Sequence, residues 1–217
     1  MYKTVLFDLD GTVMDTGEGI TNAIKYGLEK CGLPPLSMDI RKKFIGPPLR
    51  NSFKKYCGID DEGVEKVVSE YREYYAAHGH HECKPYEGIR ELLEKLKDEG
   101  RALCVATLKY EKASKVMLDE WDFSKYFEKI VGADVDKGMD NKTKIIKSAL
   151  DGEECGSAVM IGDVANDIYA ARANNIDAVG VLYGYGDRDA LIEAKPDYLV
   201  KNVFEIYGVI SAKTTRC

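Results

Sequence analysis

The chain has 217 residues, 45% of them hydrophobic and 31% charged, with a formal net charge of −6. That length allows one large domain or a core with a smaller insert, and the acidic balance leaves no electrostatic footprint for nucleic acid or an anionic membrane surface. No apolar run approaches the length that spans a bilayer, and the amino terminus lacks a basic-then-apolar signal segment, so a cytoplasmic protein is expected.

The first element is the apolar run Val5-Leu6-Phe7, which reads as a strand buried in a parallel sheet. It runs into Asp8-Leu9-Asp10-Gly11-Thr12. An apolar strand has no packing use for two carboxylates at its end, because each must be solvated, paired or metal-bound. Gly11 supplies backbone freedom where the chain leaves the sheet. For the Asp10-Gly11 dipeptide alone, a polar turn is the plainer alternative.

From about residue 16 to 80 the pattern is helical throughout. Ile20, Ile24, Leu28 and Cys31 share one face, and Gly32-Leu33-Pro34-Pro35 ends that helix. A short helix with Ser37 as its N-cap follows, then the rigid turn Ile45-Gly46-Pro47-Pro48 and a helix from Leu49 to Cys57-Gly58. Val64, Val67, Val68, Tyr71, Tyr74 and Tyr75 recur at helical spacing and read as core positions. His78, His80 and His81, at that helix end, read as exposed histidines rather than a metal cluster. Residues 16–81 are therefore expected to form an inserted helical cap, with 1–15 and 82–217 as the core.

Beyond Pro85, strands and helices alternate. The apolar stripe Ile89, Leu92, Leu93, Leu96 closes at Gly100, and Ala102–Thr107 is a strand. A helix around Met117 leads to a strand at Lys129–Ala133. A helix around Ile145 leads to the strand Ala158–Ile161. A helix around Ile168 leads to Ala178–Leu182, and Tyr198-Leu199-Val200 with a helix near Val203–Ile210 completes the chain. This alternation predicts an α/β fold, a doubly wound parallel sheet with helices on both faces. The six cysteines, Cys31, Cys57, Cys83, Cys104, Cys155 and Cys217, are scattered without a CxxC and read as reduced thiols, Cys104 as a core residue.

Polar residues stand at four strand ends: Asp8 with Asp10, Thr107, Lys142 in the approach to a helix, and Asp163 with Asp167. Parallel strands gather such ends on one edge. Taken singly, Asp163 could be an N-cap, Asp167 a first-turn acid, Thr107 an ordinary strand end, and Lys142 a surface lysine with Lys144 as its rival. Taken together, several carboxylates repel one another unless a hard divalent cation joins them, and oxygen-only ligands suit Mg²⁺. A cation, a lysine and a hydroxyl neutralise a phosphoryl group so that an anionic nucleophile can approach. A well-held aspartate suits that nucleophile, and an acid two residues on suits proton transfer.

Asp8-Leu9-Asp10-Gly11-Thr12-Val13-Met14-Asp15 resembles the first motif of the haloacid dehalogenase superfamily. Thr107 resembles the second motif, Lys142 the third, and Gly162-Asp163-Val164-Ala165-Asn166-Asp167 the fourth. Ile45-Gly46-Pro47-Pro48-Leu49 and the stretch from Tyr126-Phe127 to Val131-Gly132 resemble the phosphoglycolate-phosphatase-like branch. The resemblance implies Asp8 as nucleophile and Asp10 as general acid/base. It implies Mg²⁺ held by Asp8, the Asp10 carbonyl and Asp163, with Asp167 in support, and a phosphoryl group bound by Thr107 and Lys142. Leu108 stands where this branch often has Ser or Asn, which leaves its backbone N–H for phosphate. Dehalogenases and phosphonate-cleaving relatives lack an acid at position 10, so Asp10 implies phosphate-ester or phosphomutase chemistry.

The helical block is expected to act as a lid hinged near residues 15 and 82. Arg50 is its candidate contact to an anionic substrate, against the alternative of a solvated helix arginine. The expected activity is a Mg²⁺-dependent phosphatase acting on a small phosphorylated metabolite through an aspartyl-phosphate, in a monomer or homodimer. A phosphoglucomutase-type isomerase and a non-catalytic binding module on the same fold are the alternatives.

Overall fold

Thr4–Phe7 (β1) is buried at every residue, as an uninterrupted apolar strand covered on both faces requires. The computed structural model describes residues 2–151 and 157–212. These pack as two compact units, one made of the segment ending at Met14 with the chain from Pro85 onward, the other of Asp15–Lys84. Met14–Asp15 (β2) and Lys84–Pro85 (β3) form a separate two-stranded sheet.

The Asp15–Lys84 unit is helical. It contains α1 (Gly17–Lys30), α2 (Met38–Lys42), α3 (Leu49–Cys57) and α4 (Asp61–Tyr74). Its boundaries follow local chemistry. The Ser37 side chain accepts from the Ile40 N–H and that of Asp60 from the Gly63 N–H, satisfying first-turn donors that lack helical partners. Gly58 ends α3 in the left-handed region at φ 63°. Ile20, Ile24 and Leu28 of α1 are buried with Val64, Val67, Val68 and Tyr71 of α4. Gly27 lets the two helices approach closely, since a Cβ there would lie 3.0 Å from the Val67 carbonyl oxygen.

A π-helical turn, Tyr75–Gly79, continues α4. One expectation fails here: His80 is buried, not exposed, with Nδ1 3.0 Å from the Tyr75 carbonyl oxygen. Tyr71 and Tyr75 are core residues with rings stacked at 5.7 Å, while the half-buried Tyr74 donates to Glu82.

The other unit continues with α5 (Ile89–Asp98), β4 (Ala102–Tyr110), α6 (Glu111–Glu120), β5 (Lys129–Ala133), α7 (Lys142–Ala149), β6 (Ala158–Gly162) and α8 (Ala165–Ala173). It closes with β7 (Asp177–Val181), α9 (Arg188–Glu193), β8 (Tyr198–Val200) and α10 (Val203–Ser211). The sheet order is β5-β4-β1-β6-β7-β8, and its pairings are parallel. Leu6, Cys104, Met160 and Ala178 on one sheet face pack with Ile145, Ile146, Ile168 and Ala171 from α7 and α8. The doubly wound α/β architecture read from the sequence is the one observed.

Two details differ from the sequence reading. Strand β4 runs three residues beyond Thr107, and α9 had no counterpart in the apolar pattern because Leu191 is its buried residue. Cys31, Cys57, Cys83 and Cys104 carry reduced thiols, while Cys155 and Cys217 lie outside the described residues. No helix among the described residues is long and apolar enough to cross a membrane.

Candidate active site

The chain leaves β1 through β4 and β5 toward one sheet edge, then returns through β6, β7 and β8 toward the other. The reversal falls at β1, and doubly wound sheets bind ligands beyond the carboxyl ends of strands at that point. Phe7 pairs in register with Val105 of β4 and with Ile161 of β6, so the ends of these three strands lie side by side.

Each candidate side chain is placed by a local feature. The Asp8 N–H donates to the Ile161 carbonyl oxygen at 2.8 Å, which carries the β1–β6 ladder one residue further and fixes the start of the Asp8 side chain. The next residues fold tightly, with the Val13 and Met14 N–H groups donating to the Leu9 carbonyl oxygen at 3.1 and 2.9 Å. Gly11 adopts φ +83° there, and a Cβ on it would overlap the Asp163 carboxylate.

In β4 the register shifts after Ala106: Ala106 pairs with Val131, but Tyr110 already pairs with Ala133. The surplus residues form a bulge, a device that re-aims side chains beside ligand sites. Within it lie Thr107, buried, and Lys109, whose ammonium stands 3.2 and 3.4 Å from the two Asp10 carboxylate oxygens. Leu108 is half-buried and packs against the core cluster, so its side chain is occupied with packing.

Lys142 opens α7 and reaches Asp8 Oδ1 at 2.8 Å and Asp167 Oδ1 at 2.7 Å. Its rival Lys144 is exposed and pairs with Asp140 at 2.8 Å. Asp163 is not an N-cap: that position of α8 belongs to Val164, whose N–H donates to Asp167 Oδ2 at 3.3 Å. Asp163 Oδ2 instead accepts from the N–H groups of Tyr185 and Gly186 at 2.7 and 3.1 Å. Arg50 lies in the helical unit, where Glu65 grips its guanidinium with bonds of 2.5 and 2.8 Å.

Relative exposure is 4% for Asp8, 2% for Asp163, 0% for Asp167 and 2% for Lys142, so water does little to screen this cluster. Burial, reinforced by the charges of Asp8 and Asp167, pushes the Asp163 carboxyl up to about 8, against the pull of its two N–H donors. Burial also raises Asp167, with Lys142 opposing and the Asp8 charge adding to the rise. Burial works against the Lys142 ammonium, but Asp167 and Asp8 prevail and hold it above the ordinary lysine value.

Among the described residues, the four carboxylates of Asp8, Asp10, Asp163 and Asp167 thus meet two ammonium groups, Lys142 and Lys109. Asp8, Asp163 and Asp167 each offer an oxygen within 4.8 Å of the others, and Asp163 Oδ1 is buried without a hydrogen-bond partner. An oxygen-only set with unbalanced negative charge and an orphaned carboxylate oxygen fits a hard divalent cation.

The sequence reading missed Lys109 and the segment Tyr183–Gly186. Lys109 is two residues past Thr107, as Asp10 is past Asp8, and that shared spacing was the available signal. The segment around residue 185 contributes backbone N–H groups, which leave no mark in a side-chain pattern.

A doubly wound sheet with buried acids and a bridging lysine at its switch point is the arrangement of an α/β protein with its candidate site beyond the strand ends. Residues 5–181 match the haloacid dehalogenase-like hydrolase family, and the chain belongs to it. It is 32% identical to a 5′-nucleotidase of Pseudomonas aeruginosa, over 97% of this chain and 96% of that protein. It is 33% identical to a phosphoglycolate phosphatase of Aquifex aeolicus, over 92% and 95% of the two chains. The crystal structure of a predicted phosphatase from Clostridium acetobutylicum superposes with a TM-score of 0.92 at 39% identity, covering 98% of this chain and all of that one.

Proposed function

We propose that the protein is a Mg²⁺-dependent phosphatase that hydrolyses a small phosphorylated metabolite through an aspartyl-phosphate. The observation that carries this reading is the buried Lys142 ammonium shared by Asp8 and Asp167, beside a buried Asp163 oxygen that none of the described residues satisfies. Asp8, the Asp10 carbonyl and Asp163 would hold the ion, with Asp167 in support. Mg²⁺, when bound, offsets the surplus negative charge and polarises a phosphoryl oxygen.

The chain's own residues supply the rest. Lys142 holds Asp8 in place and neutralises the phosphoryl charge that would otherwise repel the nucleophile. An Asp8 carboxylate oxygen bonds to phosphorus as the ester P–O bond breaks, and Asp10 gives its proton to the departing oxygen. Asp10 then takes a proton from water, which attacks phosphorus and releases inorganic phosphate and free Asp8. Lys109 holds the Asp10 carboxylate, while the Thr107 hydroxyl and the Leu108 N–H serve as phosphate donors. The helical unit acts as the cap that selects the substrate, with Arg50 as its contact to an anionic group, released from Glu65 on binding.

The 5′-nucleotidase and phosphoglycolate phosphatase relatives direct the choice of substrates for the test. Nucleoside monophosphates, phosphoglycolate and hexose phosphates are each incubated with Mg²⁺ or with chelator, using wild type and Asp8→Asn. Free phosphate is expected only from wild type with Mg²⁺, while the circular dichroism of the two proteins coincides. Wild-type turnover by Asp8→Asn would overturn the nucleophile assignment, and a rearranged hexose phosphate without free phosphate would identify a mutase.

A further inference from the structure

The segment Tyr183-Gly184-Tyr185-Gly186, between β7 and α9, has no part in the chemistry above. Yet its backbone closes directly on Asp163. The Tyr185 and Gly186 N–H groups both donate to Oδ2, at 2.7 and 3.1 Å. Upstream, the Tyr183 hydroxyl donates to the Thr12 carbonyl oxygen at 2.9 Å, and its ring meets Tyr86 edge-on at 4.8 Å. One short segment is therefore bonded both to the loop that follows β1 and to the acid that follows β6.

The fit leaves no room for side chains. A Cβ on Gly184 would overlap the Asp163 side chain and the Gly11 carbonyl oxygen, and a Cβ on Gly186 would overlap the Asp163 carbonyl oxygen. With both donors on Oδ2, rotation of the carboxylate is blocked, and Oδ1 is left buried and without a partner.

We propose that Tyr183–Gly186 is a positioning clamp: it fixes Asp163 by one oxygen so that the other is presented, already oriented, to the cation. Tyr183 sets the height of the clamp through Thr12, and the two glycines let the backbone come within bonding distance. This rests on the Mg²⁺ reading of the same site and deepens it by naming the residues that orient the ligand. Groups that orient a metal ligand typically contribute about 10–100-fold to metal affinity.

The test is a calorimetric titration of Mg²⁺ into the full chain, in wild type, Tyr183→Phe and Gly184→Ala, alongside the Mg²⁺ dependence of turnover. Tyr183→Phe keeps the ring against Tyr86 and removes one bond. It is expected to weaken Mg²⁺ binding about 10-fold, to lower the metal-free melting temperature by no more than about 2–4 °C for the one lost bond, and to recover wild-type kcat at saturating Mg²⁺. Gly184→Ala shifts affinity the same way and further; should it fail to fold, Tyr183→Phe alone decides. Unchanged Mg²⁺ affinity in Tyr183→Phe, or a kcat loss that excess Mg²⁺ does not restore, overturns the clamp while the phosphatase reading stands. Absence of Mg²⁺ binding to wild type overturns both, and the Asp8→Asn panel reports on the phosphatase reading separately.

Discussion

Replacing Lys142 by Met keeps the volume of the side chain and removes the ammonium that Asp8 and Asp167 share, at 2.8 and 2.7 Å. Removing one partner of a buried ion pair costs about 3–5 kcal/mol, because the charge left behind has neither water nor counter-ion. Here two buried carboxylates are left, with Asp163 a third beside them. For a chain of this length about 1 kcal/mol corresponds to roughly 2–4 °C, so the melting temperature should fall by roughly 6–20 °C in metal-free buffer at pH 8.

The loss should depend on pH, and its sign follows from linkage. Asp167 and Asp163 are already raised above the unfolded carboxyl value, so their charged forms oppose folding at high pH, and that opposition fades as pH falls. Without Lys142, Asp167 loses the group that held it down and rises further. Lys142→Met should then gain more from acidification than wild type does, and its deficit should narrow between pH 8 and pH 5.5. Thermal denaturation of both proteins at the two pH values, with chelator present, measures this. A variant as stable as wild type at pH 8, or a deficit that ignores pH, would refute the reasoning.

Wild type itself should grow more stable as metal-free buffer is taken from about pH 8 toward the ordinary carboxyl range, because Asp163 is raised to about 8 in the folded protein; saturating Mg²⁺ should flatten that dependence, and denaturation curves with and without the ion check both. Asp10→Asn should lower kcat by about 10²–10⁴ on alkyl phosphates. The loss should be smaller on p-nitrophenyl phosphate, whose leaving group needs no proton; an equal loss on both would remove Asp10 from the general-acid role. Arg50→Ala should change stability by less than about 1 kcal/mol, since its pair with Glu65 is partly exposed, yet raise KM for the anionic substrate with kcat kept, which steady-state kinetics will separate.

Much of the architecture was legible because it follows from local rules. An apolar run such as Val5–Phe7 with two β-type residues beside a polar turn suits a covered strand, and Ser37, Asp60 and Gly58 mark helix ends by satisfying or releasing the backbone there. The acids were legible for a related reason: charged side chains at the ends of buried strands have few options, and parallel pairing brings those ends together. His80 was misjudged because apolar spacing does not report the contact its ring makes with the Tyr75 carbonyl oxygen, which forms only in the folded chain.

The linear order of residues thus specified the alternation of strands and helices, the acids beyond β1 and β6, and the excess of negative charge they carry. Which lysine is buried between Asp8 and Asp167, that Lys109 rather than solvent meets Asp10, and that Tyr185 and Gly186 grip Asp163 were decided only when the chain folded. Strand-end chemistry is written in side chains and can be read along the chain. A bulge in β4 and a pair of backbone N–H groups act through space, between residues far apart in sequence, and exist only in the packed structure.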